Sequence, residues 1–156
     1  MPEIDDLYAS IRDGLERVVA TLDGLTADQL NYHVPVDGGN SAYVLAAHTL
    51  GNARAWVLGI ACGRDIGRDR LAEFRASGSD TSALRAMLAS LQREMCEALA
   101  TQTPADLDRR LVPPKRLWGE NQPRDISVRD ALLQVIEHAS LHLGHLQLTR
   151  DLALRE

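Results

Sequence analysis

The chain has 156 residues, a formal net charge of −5 and a pI near 5.5. This acidic balance argues against nucleic acid or an anionic membrane surface as a partner. No run approaches the roughly 20 apolar residues that span a bilayer, and the N-terminus lacks the basic and apolar regions of a signal peptide. The two cysteines, Cys62 and Cys96, form no CxxC pair, which suits a reducing compartment. We therefore expect a single cytoplasmic domain over residues 1–156.

Four long segments of the chain have the apolar spacing of amphipathic helices. The first covers about residues 4–22, and a Thr-x-x-Gln capping sequence then opens one short turn at 26–30. Proline and paired glycine make residues 34–39 irregular. A second helix is predicted over about residues 41–62, and the side chains on its inward face are unusually small. Small residues there either let another helix come close or leave a cavity.

The second half of the chain carries the other two long helices. The third, at about residues 80–101, is expected to bury Cys96 as a small hydrophobe. Four prolines between residues 103 and 125 predict a long loop or short turns, which often cover a site. The last helix covers about residues 127–154, and no run alternates with the period of a β-strand. Four helices with one apolar face each predict an all-α four-helix bundle.

Two features outside the helices are interpreted as structural. In the connection between the second and third helices, basic residues alternate with acidic ones. These residues are Arg64, Asp65, Arg68, Asp69, Arg70 and Glu73. This alternation predicts a salt-bridged surface or a subunit contact rather than an anion site. Trp118, in the proline-rich segment, either covers a cavity or belongs to a separate small hydrophobic cluster.

The last helix carries three of the five histidines of the chain within eight residues: His138, His142 and His145. At about 100° per residue, their imidazoles share one helix face. The residues that flank them at helical spacing are apolar: Val135, Leu141, Leu148 and Leu152. We therefore expect the rings to point into a helical core, where a buried imidazole needs a partner. A divalent metal ion is the predicted partner, and a hydrogen-bonded ladder of histidines is the alternative.

A neighbouring helix is expected to complete the metal site. His48 lies mid-way along the inward face of the second helix, and three ligands leave open positions for water or substrate. The pair from the last helix is either His138 and His142, or His142 and His145 with His138 orienting one of them. Asn52, one turn after His48, is either a satisfied buried amide or a group that hydrogen-bonds a metal-bound molecule.

Several short motifs occur in an order that is informative as a set. They are residues 25–30 after the first helix, 41–48 with its histidine, 56–59 near the end of the second helix, and His142-Leu143-Gly144-His145. In this order and spacing the chain resembles the DinB-like (DinB/YfiT) superfamily of metal-binding four-helix bundles. The resemblance covers most of the chain. It implies that His48, His138 and His142 bind a divalent ion, and that His145 supports a ligand or faces the substrate. Because imidazole suits both metals, the ion is expected to be zinc or nickel.

The resemblance also implies a function. The superfamily includes bacillithiol S-transferases and mycothiol-dependent maleylpyruvate isomerase. The resemblance therefore implies a metal-dependent thiol S-transferase or a thiol-dependent isomerase. Such an enzyme activates a low-molecular-weight thiol or water toward a small-molecule substrate. The resemblance further implies a homodimer. Because many members have no assigned activity, a non-catalytic, stress-associated metal-binding bundle is the alternative function.

Overall fold

The computed structural model describes residues 2–155 of the chain. Its elements, in chain order, are α1 (Pro2–Ala20), α2 (Ala27–Asn31), α3 (Ala42–Ala53), a π-helical segment (Arg54–Ala61), α4 (Arg70–Glu73), α5 (Ser82–Leu99), α6 (Pro104–Leu107), β1 (Arg110–Leu111), α7 (Lys115–Trp118), β2 (Ile126–Ser127) and α8 (Val128–Ala153). The second predicted helix is therefore present as α3 and its π-helical continuation. No helix within the described part of the chain is long and apolar enough to cross a membrane.

The four long helical units pack around one core. Helix α1 contacts α8 and α5, and α3 with the π-helical segment contacts the same two helices. The predicted all-α four-helix bundle is confirmed. Side-chain caps fix where two of these helices begin. Ser41 Oγ accepts a hydrogen bond from Val44 N at 3.2 Å, and Ser127 Oγ accepts one from Asp130 N at 3.0 Å.

The small face of the second helical unit lets its neighbours come close. Every residue of α3 is buried. A Cβ atom added to Gly51 would collide with the carboxylate of Glu73 on α4, and one added to Gly59 would lie 2.7 Å from Leu117 Cδ1 on α7. The short helices α4 and α7 therefore cover this face. This close packing of α4 is what brings Glu73 beside α3.

The proline-rich segment contains more regular structure than the sequence predicts. Besides α6 and α7, it leads into an antiparallel pair in which Arg110 lies opposite Ser127 and Leu111 opposite Ile126. The sequence predicts only a long loop or short turns here, so the two strands are an addition to that prediction. Two residues per strand are too few to produce an alternating pattern in a sequence.

Two predictions of burial are also wrong. Leu141 and Leu148 are 57% and 62% exposed, and Cys96 is exposed as well. The buried residues of α8 form a different stripe: Val128, Ala131, Leu132, Val135, Ala139, Leu143, Leu146, Thr149 and Ala153. Because that stripe faces the core, the histidines lie at its edge and the two leucines lie beyond them. Cys96 is exposed because the buried stripe of α5 passes through Met95 and Leu99.

Candidate metal centre

Three histidines come together where α3 packs against α8. One ring nitrogen from each of His48, His138 and His142 lies within 4.8 Å of the other two. The ring centroids are 5.1 Å apart for His48 and His138, 5.2 Å for His48 and His142, and 4.3 Å for His138 and His142. The two histidines of α8 are four residues apart, so both can face His48. This group could hold a metal ion.

His145 lies outside this group of three. It is exposed, and its ring centroid is 5.7 Å from that of His142. It lines an apolar pocket of about 190 Å³ between residues 34–40 and the C-terminal part of α8. The structure therefore places His145 beside the candidate metal centre, in the wall of an apolar pocket.

A buried ion pair holds His48 in place. His48 Nδ1 lies 2.8 Å from Glu73 Oε2, and Arg68 donates from Nε to Oε1 at 2.9 Å and from Nη2 to Oε2 at 3.0 Å. The three side chains are only 7%, 9% and 4% exposed for His48, Glu73 and Arg68. The interpretation of the 63–73 connection as a salt-bridged surface or subunit contact is therefore wrong for Arg68 and Glu73. We call these two residues the brace.

The brace determines which nitrogen of His48 is free. Burial would raise the pKa of Glu73, but hydrogen bonds from His48 and Arg68 outweigh it and hold that pKa below its usual range. Glu73 is therefore ionised, and an ionised carboxylate only accepts hydrogen bonds. The proton of a neutral His48 consequently lies on Nδ1, which leaves the Nε2 lone pair free to bind an ion.

The histidines of α8 are also suited to binding a metal. Burial, together with the neighbouring rings of His142 and His48, lowers the pKa of His138 to about 3. Burial and the rings of His48 and His145 lower the pKa of His142 to about 4. His142 Nδ1 is buried and lacks a hydrogen-bond partner in the described part of the chain. Neutral imidazoles with a free buried nitrogen fit a divalent cation, because burying a polar atom without a partner is unfavourable.

On the α3 side, neighbouring side chains cover the ring of His48. The Phe74 ring lies 4.7 Å from that of His48, centroid to centroid, and the Arg70 guanidinium lies 4.9 Å from the Phe74 ring centroid. Asn52 is 5% exposed, and its Oδ1 has no hydrogen-bond partner among residues 2–155. Its predicted role in binding a metal-bound molecule stays a prediction. Trp118 packs against Trp56 at a centroid distance of 5.1 Å, so it belongs to an aromatic pair.

Comparison with known proteins decides the family. A family model described as mycothiol-S-transferase matches residues 6–153. The chain belongs to the mycothiol-S-transferase family. This family is DinB-like, so the resemblance drawn from the motifs is confirmed. A search of curated proteins finds no match.

Membership of the mycothiol-S-transferase family implies a small-molecule substrate and a thiol as cosubstrate. The donor set agrees with this chemistry, since imidazole nitrogens suit zinc and nickel alike. The carboxylate of Glu73 is engaged by His48 and Arg68. The homodimer, the cytoplasmic location, the single domain and the lack of a nucleic-acid partner stay predictions.

Proposed function

We propose that the chain is a metal-dependent mycothiol S-transferase in which His48, His138 and His142 hold one divalent ion, zinc or nickel. The observation that carries this proposal is the convergence of three ring nitrogens within 4.8 Å in a member of this family. When bound, such an ion supplies a positive charge that favours the thiolate form of a thiol.

The charges of the protein support a site for an anionic sulfur. The three imidazoles are uncharged in their metal-binding form, and the carboxylate of Glu73 is balanced by the guanidinium of Arg68. These five side chains therefore add no net negative charge that would repel a thiolate. Phe74 shields the His48 side from water, which strengthens electrostatic interactions there.

The proposed reaction is a substitution at carbon. The thiol loses its proton to solvent, and its sulfur forms a bond to an electrophilic carbon of the small-molecule substrate. The bond from that carbon to its leaving group breaks, and the leaving group departs with the electron pair. In this proposal the chain binds and orients the two reactants, and His145 faces the substrate from the apolar pocket beside it.

The first experiment joins metal content with transfer activity. Metal would be measured by mass spectrometry of untagged protein, and transfer by the fluorescence of monochlorobimane after conjugation to mycothiol, bacillithiol or N-acetylcysteine. We expect about one ion per chain, with transfer fastest for mycothiol, and loss of both in His142→Ala. Full metal loading without transfer from any of these thiols would contradict the enzyme and favour the non-catalytic metal-binding bundle.

A further inference from the structure

A polar, aromatic pocket lies on the opposite side of the histidines from His145. It occupies about 240 Å³ between the π-helical segment, α8 and the chain around residues 118–126. Gln134, in its wall, is one turn before His138 on α8, so the pocket begins about 6 Å along the helix axis from the metal centre. Arg68 also connects the pocket to the histidines. It donates from Nη1 to Leu117 O at 3.3 Å, next to Trp118 in the pocket wall.

Two buried polar atoms in this wall lack a hydrogen-bond partner within residues 2–155. Trp56 is 5% exposed, and neither its Nε1 nor Oε1 of Gln134 has a hydrogen-bond partner in the part of the chain that the structure describes. The indole N–H can only donate and the amide oxygen can only accept. Because leaving both unpaired is unfavourable, they are suited to a ligand that offers hydrogen-bond acceptors and donors. A hydroxyl group offers both.

The remainder of the wall suits a ring that carries hydroxyl groups. Trp56 and Trp118 are inclined at 39° to each other. Trp118 is the less buried of the two, and its ring gives an apolar surface for the C–H face of such a ligand. Asn121 and Arg124 add polar groups to the same wall. The apolar pocket beside His145 differs, since Val34, Val36, Leu45, Leu148 and Leu152 are among its lining residues.

We propose that the polar pocket binds the polyhydroxylated part of the thiol cosubstrate, so that the sulfur end reaches the metal centre. This inference rests on the proposed function. Mycothiol is a cysteine derivative joined through an amide to a glucosaminyl-inositol unit. That unit has hydroxyl groups for Trp56 and Gln134 and a ring face for the indole of Trp118, while the cysteine part spans the turn between Gln134 and His138.

Tryptophan fluorescence gives a direct test, because the chain has only two tryptophans and both line this pocket. Metal-loaded protein would be titrated with glucosaminyl-inositol, which lacks the cysteine, and with N-acetylcysteine, which lacks the sugar. We expect a saturable fluorescence change with glucosaminyl-inositol and little change with N-acetylcysteine. No response to glucosaminyl-inositol would overturn the assignment of this pocket.

A matched pair of glutamine variants tests the contact itself. Gln134→Met keeps the side-chain length and removes the acceptor, while Gln147→Met changes an exposed glutamine of the same helix. We expect Gln134→Met to weaken glucosaminyl-inositol binding about tenfold and to raise the ratio of KM for mycothiol to KM for N-acetylcysteine by a similar factor. The control should change neither quantity. An equal rise in both KM values would overturn the proposal.

The two measurements separate this proposal from the proposed function. The fluorescence titration needs no turnover. Sugar binding in a protein that transfers no thiol would contradict the transferase and leave the pocket assignment intact. Active transfer without sugar binding would contradict the pocket assignment and leave the transferase intact. Circular dichroism of each variant would verify that the helical bundle is retained.

Discussion

The two sides of the metal centre are built differently. On the α3 side, His48 is buried and hydrogen-bonded to Glu73, which Arg68 holds in turn. On the α8 side, His138 and His142 are only half-buried, and the buried Nδ1 of His142 is unpartnered within residues 2–155. The α3 side is therefore pre-organised by the protein, whereas the α8 side would gain its missing interaction from a bound ion. Predictions about the two sides differ accordingly.

The largest expected effect is on metal content, and it distinguishes His138 from His145 on α8. His138→Ala should reduce bound metal from about one ion per chain to near zero, because two remaining imidazoles hold an ion weakly. His145→Ala should keep full occupancy, because His145 lies outside the group of three. Mass spectrometry of the purified variants measures both. If His145→Ala empties the site and His138→Ala does not, the alternative pair of His142 and His145 is the right one.

The next effect tests the brace. Glu73→Gln keeps an acceptor for His48 but loses the charge, so we expect metal affinity to fall about 10- to 100-fold in competition with a chelating dye. Stability in urea should also fall, by about 3–5 kcal/mol, because Arg68 stays buried without its partner.

Glu94→Gln is the matched control for the brace. Glu94 pairs with Arg54 at 3.4 Å, with both side chains about a third exposed, so the change should cost at most about 1 kcal/mol and leave metal binding unaltered. Wild-type metal affinity in Glu73→Gln would show that the brace does not prepare the α3 side.

A pair of glycine variants compares the α3 and α8 sides through smaller changes in metal affinity. In Gly51→Ala the new methyl group would collide with the Glu73 carboxylate and displace it from His48, so metal affinity should fall by less than in Glu73→Gln. In Gly144→Ala the methyl group meets open space on α8. That variant should bind metal normally and gain up to about 1 kcal/mol of stability from helix propensity. Equal metal affinities for the two variants would contradict this prediction.

The smallest expected effect concerns the cysteines, which lie away from the histidines. Burial raises the pKa of Cys62 to about 11, so only about one molecule in a thousand carries this thiolate at pH 8. With a disulfide reagent we expect one fast thiol, Cys96, and one slow thiol whose rate rises about tenfold per pH unit up to pH 10. Cys96→Ser should abolish the fast phase. Two equal rates in the wild type would contradict this assignment.

The bundle was predictable from the sequence because helical periodicity and caps are local signals. The bringing together of His48, His138 and His142 followed from spacing on two inward faces and from the family resemblance. The brace was not predictable, because Arg68 and Glu73 lie in a connection where charges normally face solvent. Their burial depends on α4 packing against Gly51, a long-range contact. The glycine at position 51, one turn after His48, was the one feature of the sequence that indicated this close packing.

The exposed leucines of α8 show a second limit. Apolar residues occur on more than one side of this helix, so periodicity alone does not determine which side faces the core. Leu141 and Leu148 fit the spacing around the histidines, yet the stripe through Ala139, Leu143 and Leu146 is the buried one. Packing against α1 and α3 selected that stripe.

The π-helical continuation of α3 has a consequence for insertions and deletions. The Cys62 N–H donates to Val57 O, five residues back, at 2.9 Å, whereas an α-helix bonds four residues back. Loss of one residue within Arg54–Ala61 would allow α-helical bonding there and leave His48 facing α8. Loss of one residue between Ser41 and His48 would instead turn His48 by about 100° relative to its cap. This π-helical segment is therefore the part of the helix that can lose a residue without changing how His48 faces His138 and His142.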